Sequence, residues 1–206
     1  MRCIESIEEL ESKYGDVVPI ARYKEINYIN EHYRKFIEAS PFIVLATKGA
    51  QGIDCSPRGD PPGFVRVVDE KTLLIPDRRG NNRIDSLRNI VSNGEAGLIF
   101  LIPNVGEAMR VTGKASVVLD EKLQETFSIN GKMPTSLIRV EVEKAYYQCQ
   151  KAIARSKLWS PESHIDRGLL PTAGEMAQSF SKQHGEEFDG AAYDKAYPER
   201  MRKVIY

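Results

Sequence analysis

Apolar positions recur along this chain with two different periods, and the changes of period divide it into parts. Over the first forty residues the spacing is helical. Ser6 followed by Glu9 fits a capping box, Gly15 supplies a stop, and Ile26, Ile29, Tyr33, Phe36 and Ile37 form one apolar stripe on a polar helix. From Pro41 the pattern becomes that of strands. Phe42–Thr47 is a short β-rich run, Gly49-Ala-Gln-Gly52 reads as a hairpin turn, and Ile53–Arg58, Phe64–Val68 and Thr72–Pro76 read as further strands. Asp60-Pro-Pro-Gly63 and Asp69-Glu-Lys71 break them. A helix is predicted next, capped by Asn82, buried along Ile84, Leu87, Ile90 and Val91, and ended by Asn93-Gly94. Ala96–Ile102 and Met109–Leu119 are strands joined by Pro103-Asn-Val-Gly106. Asp120 caps a short helix through Phe127, and Asn130-Gly131 leads into a strand over Ser136–Glu143. Beyond Tyr147 the chain is polar and helical again, with a second capping box at Thr172 and Glu175 and with Pro171 and Pro198 as punctuation.

These elements predict a six-stranded, largely antiparallel barrel with helices at both ends, an α+β protein dominated by its sheet. Most gaps between strands are too short for the crossover helix that a parallel βαβ sheet requires. The expected organisation is a helical segment over residues 1–40, a barrel domain over 41–160 and a helical extension over 161–206 that packs on the barrel.

Composition then narrows the function classes. Lys+Arg and Asp+Glu are both 29 in 206 residues, so no global field draws in nucleic acid or an anionic membrane, and any anion site must be local. The longest apolar runs, Phe42–Ala46 and Leu98–Ile102, fall far short of the roughly 20 residues of a membrane helix. The start MRCIESIEELESKYG turns acidic at once and has no apolar signal core, so a cytoplasmic protein is the expectation. Cys3, Cys55 and Cys149 are too scattered for a disulfide framework or a zinc site, and Cys55 and Cys149 read as small packed residues. His32, His164 and His184 stand apart from any obvious nucleophile, and no dinucleotide, P-loop or nucleophile-elbow motif occurs.

The informative feature is arginine. Arg58, Arg66, Arg78, Arg79, Arg83, Arg88 and Arg110 lie in one window against a single lysine, Lys71. Guanidinium grips a phosphate with paired hydrogen bonds, and the loop Asp77-Arg-Arg-Gly-Asn-Asn-Arg83 runs into a helix start, where backbone N–H groups suit an anion. Seven acidic residues share the window, so a solvated turn laced with ion pairs explains the composition equally well.

Three segments carry a resemblance. Cys55-Ser-Pro-Arg-Gly-Asp60, Leu73-Leu-Ile-Pro-Asp-Arg-Arg-Gly-Asn-Asn-Arg-Ile-Asp-Ser-Leu-Arg-Asn-Ile90 and Met109-Arg-Val-Thr-Gly-Lys-Ala115 resemble the pyridoxamine 5'-phosphate oxidase-like proteins with an FMN-binding split barrel. The stretch Tyr147-Gln-Cys-Gln-Lys-Ala-Ile-Ala-Arg-Ser-Lys-Leu-Trp159, read as a helix, is similar to an FMN-dependent subgroup of them. The resemblance covers roughly residues 40 to 160 and is specific for family and flavin rather than for substrate. It implies FMN as cofactor and a homodimer. In this reading Arg58 binds the flavin phosphate, with Ser56 beside it. Ile75, Pro76, Asp77 and Arg78 lie along the ring and ribityl chain, and Asn81, Asn82 and Arg83 complete the phosphate cradle. Arg110 is a further contact. The oxidase's Ser-Arg-Lys-like loop is replaced here by Gly-Asn-Asn, and its C-terminal Trp and Arg motif is absent. Arg155, Ser156, Lys157 and Trp159 stand in for that motif, reaching the site from the partner subunit.

The implied activity is flavin-mediated hydride or electron transfer with a small substrate or reduced nicotinamide, with Arg78, Arg155 and Lys157 as candidates to stabilise the reduced flavin. The alternative is a non-catalytic flavin or tetrapyrrole (heme) binder or sensor on the same barrel. A single-stranded nucleic-acid binder fits less well, because charge is balanced and the predicted strands hold few aromatics.

Overall fold

The backbone follows the changes of period. A computed structural model describes residues 1–206. Helices α1 (Ile7–Glu11), α2 (Pro19–Tyr23) and α3 (Glu31–Ala39) precede strands β1 (Phe42–Gly49), β2 (Gly52–Gly59), β3 (Arg66–Val67) and β4 (Thr72–Asp77). Helix α4 (Asp85–Asn93) leads to β5 (Glu95–Leu101) and β6 (Ala108–Val118). Then come α5 (Glu121–Glu125), β7 (Ser136–Gln148), α6 (Lys151–Ser156), α7 (Ala173–Gln183) and α8 (Gly190–Val204). No helix is long and apolar enough to cross a membrane.

All seven strands form one antiparallel sheet in the order β2-β1-β5-β6-β7-β4-β3. The sheet is therefore the expected antiparallel one with seven strands rather than six, because the two-residue β3 pairs with β4 as a strand of its own. Ion pairs join β2, at one edge, to the end of β4, next to the other edge, so the sheet curls into a barrel with a seam between those strands. Ile43 and Leu45 of β1, Leu98 and Phe100 of β5, Met109 and Val111 of β6 and Ile138 and Val140 of β7 fill its interior. Each strand contributes alternate residues, as a half-buried strand must.

Helix α3 closes one side through Tyr33 and Ile37, with Phe36 partly buried; Ile29 and Ile26 of the expected stripe pack on the same core but lie ahead of the helix, Ile26 in a bridge to Ala145 of β7. Asn30 caps α3 by accepting from the Tyr33 N–H. Ser6 caps α1, but Glu9 pairs with Arg2 instead of completing the box, whereas the box at Thr172 and Glu175 is complete.

Three expectations need correction. Helix α4 starts at Ile84 in the left-handed region rather than at Asn82, and it buries Ser86 and Ile90, with Leu87 partly buried, while Ile84 and Val91 stay exposed. The later start rotates the buried face. Strand β7 runs on to Gln148, so Tyr146 and Tyr147 belong to the sheet and only Lys151–Ser156 is helical in the stretch read as one helix. Cys55 and Cys149 are exposed, as is Cys3, and none is packed. In the C-terminal extension, α7 and α8 pack on each other at Gly174 and Gly190, where an added Cβ would meet the opposing carbonyl oxygen at 2.1 and 2.5 Å. The end of that extension returns to the barrel, where the Lys132 ammonium donates to the backbone oxygen of Tyr206.

Candidate functional site

Strand β2 is the anomaly in the barrel. Its alternation turns polar Asp54, Ser56 and Arg58 to the more sheltered side and leaves Ile53, Cys55 and Pro57 exposed. A strand that shelters polar side chains needs partners for them. Asp54 finds one on α4, accepting from the Ser86 hydroxyl at 2.7 Å. Ser56 and Arg58 instead line a cleft of about 880 Å³ in the barrel seam.

The opposite wall comes from β4. Strand β3 ends its pairing at Leu74, so Ile75–Asp77 is paired only with β7 and has its other edge free. A proline is tolerated on such an edge, and Pro76 occupies it. Two ion pairs cross the seam. Arg58 of β2 pairs with Asp77 of β4, and Arg78 Nε donates to Asp60 Oδ2 at 2.7 Å. The pairing of Arg58 with Asp60 that would make it a plain rim residue does not form. All four side chains are sheltered, at 20, 13, 17 and 2% exposure for Arg58, Asp77, Arg78 and Asp60.

Arg58 is not satisfied by this pair. Its Nε is buried and has no acceptor. A sheltered N–H without a partner is costly unless something arrives to accept from it. Beyond Arg78 the chain passes Arg79 and Gly80 and turns through Asn82 and Ile84 at φ of 60° and 52°. Asn tolerates the left-handed region; a β-branched residue there is strained, and such strain gathers at ligand clamps. The turn delivers the start of α4 to the cleft with no side-chain cap, so its first N–H groups remain available. Among the lining residues three arginines face two aspartates, Asp60 and Asp77, which leaves positive charge in excess beside the helix start. This donor set fits a phosphate, and the cleft falls in the size range of small-molecule sites.

The structure thus brings together Ser56, Arg58, Pro76, Asp77, Arg78, Asn81 and Asn82 of the expected residues. Ile75 lies in the core behind them. Arg83 does not line the cleft and pairs with Asp85 at 2.9 Å. Arg110 lies on the exposed face of β6, 5.0 Å from the Tyr146 ring. Arg155, Ser156, Lys157 and Trp159 do not line this cleft, and the Trp159 indole donates to the Val105 carbonyl at 2.8 Å. Thr135, Ile205 and Tyr206 line the cleft unanticipated. Thr135 arrives because its N–H donates to the Asp77 carbonyl. No local pattern marks Ile205 or Tyr206. The influence of the Asp60 carboxylate, and then some burial, raises the Tyr206 phenol above its ordinary pKa.

Comparison with known proteins gives two kinds of match. The family model described as pyridoxamine 5'-phosphate oxidase matches residues 29–149, more than half of the chain. Among solved structures, HupZ of Group A Streptococcus is 18% identical with a TM-score of 0.50, over 59% of this chain and 94% of that one. A putative pyridoxamine 5'-phosphate oxidase from Lactobacillus delbrueckii is 20% identical, TM-score 0.44, over 59% and 95%. An FMN-binding protein from Syntrophomonas wolfei is 11% identical, TM-score 0.43, over 55% and 82%. No curated protein sequence matches this one.

Proposed function

Because the chain belongs to the pyridoxamine 5'-phosphate oxidase family, we propose that it is an FMN-dependent oxidoreductase whose cofactor sits in the seam between β2 and β4. The observation that carries the proposal is the buried, unpartnered Nε of Arg58 beside an uncapped helix start, an arrangement suited to the phosphate of riboflavin 5'-phosphate.

Arg58 keeps one terminal nitrogen on Asp77 and has Nε and its second terminal nitrogen to offer the phosphate. Asp77 thereby fixes the guanidinium in place before the ligand arrives. The start of α4 supplies backbone donors, and Arg79 adds charge at the mouth. Arg78, held by Asp60, sets a cation beside the remaining space, where it favours a ligand that gains negative charge. Phe64, Pro61, Ile84 and Leu87 give that space an apolar lining for a planar ring. A bound flavin supplies the redox chemistry itself, accepting two electrons and a proton from a small substrate or a reduced nicotinamide. The cleft has one phosphate-type cradle and no glycine fingerprint for a second phosphate and adenosine, which favours FMN over FAD.

The reading includes a homodimer. Ile53 on edge strand β2 and Val91 on α4 are exposed apolar side chains that a partner subunit would cover. The Arg155–Trp159 segment does not serve its own cleft, which favours a place at the partner's. Three free thiols suit a reducing compartment, the cytoplasm.

Purified protein tests the reading directly. A flavin absorption spectrum, FMN as the mass of the released chromophore and bleaching by reduced nicotinamide or a small donor are expected. A Soret band, or FAD as the main species, overturns the cofactor assignment. A flavin that no donor reduces reassigns the protein to passive binding.

A further inference from the structure

Ile205 and Tyr206 take part in the cleft although they lie about 130 residues beyond the strands that build it. Helix α8 ends at Val204, and Ile205 and Tyr206 pass directly into the cleft lining. Two contacts hold Tyr206 there. Its ring stands 5.8 Å from the Arg78 guanidinium carbon, and its backbone oxygen accepts from Lys132. The first ties it to one of the crossed ion pairs of the seam, and the second to the turn that precedes Thr135, another lining residue.

Two roles are open to such a residue: a plug that a ligand must expel, or a wall that a ligand lies against. The space decides between them. The cleft keeps its volume of about 880 Å³ with Tyr206 in place, near the upper end of the roughly 300–1,000 Å³ typical of small-molecule sites. A ligand therefore enters without displacing the ring. Tyr206 is also the one tyrosine or tryptophan among the lining residues, and Phe64 the one other aromatic. The guanidinium beside one face of the ring leaves its remaining surface for an aromatic partner.

We propose that Tyr206 is a ligand-contacting wall of the cleft, an aromatic face carried by α8 that packs against the ring system of the bound flavin and slows its escape. The inference rests on the flavin reading above. It gives the C-terminal helical hairpin a purpose: the Gly174–Gly190 contact and the Asp194 carboxylate, which accepts from Thr172 Oγ1 and from the Gly174 N–H at 2.8 Å, fix the two helices as one unit that presents Tyr206. Asp60 takes part through Arg78, holding the guanidinium that stands beside the Tyr206 ring.

The test uses the full-length protein loaded with riboflavin 5'-phosphate, comparing wild type with Tyr206→Ala, Tyr206→Phe and Arg58→Ala. Tyr206→Ala is expected to release the flavin about threefold to tenfold faster, the factor given by loss of one aromatic contact, and to raise quenching of bound-flavin fluorescence by iodide. Tyr206→Phe, which keeps the ring, is expected to stay within about twofold of wild type by the same reasoning. The melting temperature of the flavin-free protein should be the same for wild type, Tyr206→Ala and Tyr206→Phe, which separates a wall from a structural residue. Unchanged release and quenching in Tyr206→Ala, while Arg58→Ala still loses flavin, overturns the wall and leaves the flavin site standing. Slower release or tighter binding in Tyr206→Ala means a plug and also overturns the proposal. A wild-type protein that binds no riboflavin 5'-phosphate overturns both readings.

Discussion

Replacing Arg58 with alanine should weaken the binding of riboflavin 5'-phosphate far more than that of riboflavin. The guanidinium is 20% exposed, spends one terminal nitrogen on Asp77 and holds a buried Nε with no acceptor. Its contact with a phosphate is then charge-assisted and largely sheltered, a class whose loss costs about 2–4 kcal/mol, or roughly 30- to 700-fold in Kd. Truncation has a second effect. Asp77, 13% exposed at its side chain, loses its partner and faces the phosphate as a bare carboxylate. Part of the loss is therefore repulsion, and the double variant Arg58→Ala/Asp77→Asn should recover some of it. Riboflavin feels neither the missing cation nor the new anion directly, so its affinity should change by less than about 1 kcal/mol, within the range of a neutral contact. Flavin fluorescence titrations of the apoprotein with both ligands, for wild type and the two variants, give the four differences required. Equal losses for riboflavin and its phosphate would falsify the assignment and make Arg58 a residue of the fold.

Three other outcomes follow from the same structure. Co-expressing Arg58→Ala with Trp159→Ala should restore partial flavin occupancy if Arg155–Trp159 serves the partner's cleft; proven mixed dimers without recovery would place both residues in one chain's site. Gly113→Ala should destabilise the barrel by about 1–3 kcal/mol, as overpacking does, because its Cβ would fall 1.9 Å from the Glu141 carbonyl oxygen where the β6–β7 register shifts; an unchanged melting temperature refutes this. Cys149 is exposed and its thiol pKa is lowered, chiefly by a hydrogen bond from the Lys151 backbone and then by Gln148, Lys151 and Lys24, so its thiolate persists to lower pH than an ordinary thiol. Its alkylation rate should accordingly reach half-maximum below the ordinary thiol pKa, and a midpoint at or above that value contradicts the assignment.

The strands and most of one site wall were legible because they rest on local signals. Alternation marks β1, β5, β6 and β7, and proline with glycine marks the breaks around β2 and β3. Arg58, Asp77 and Arg78 stood out as charges at strand ends. Helix α4 starts later than its pattern predicts because Ile84 takes a left-handed conformation that its side chain disfavours and no propensity rule anticipates. Tyr147 reads as helical because β7 runs into the polar, helical stretch of α6 with no proline or glycine between them. The crossed pairing of Arg58 with Asp77 and of Arg78 with Asp60, and the arrival of Tyr206, depend on the curl of the sheet and the path of α8. Those are properties of the assembled chain that no window of sequence contains. One signal was present and unread: β2 alternates with its polar residues inward, which marks a strand facing a ligand rather than a core.

The sheet order carries a consequence for how this protein matures. Arg58 and Asp77 are 19 residues apart in sequence, yet β1, β5, β6 and β7 lie between their strands in the sheet. The seam cannot close until β7, completed only at Gln148, has docked between β6 and β4. A nascent chain therefore carries both walls of the cleft long before it has a cleft. Pairing across many intervening strands is slow to form, since loop closure must come before the contacts that reward it. A ligand that recognises the closed seam binds only the finished barrel, and it then stabilises that barrel in proportion to its free concentration over Kd. Cofactor supply during synthesis would on this account set the yield of folded protein, and a lesion in any of the four intervening strands would first be felt as lost affinity in the seam.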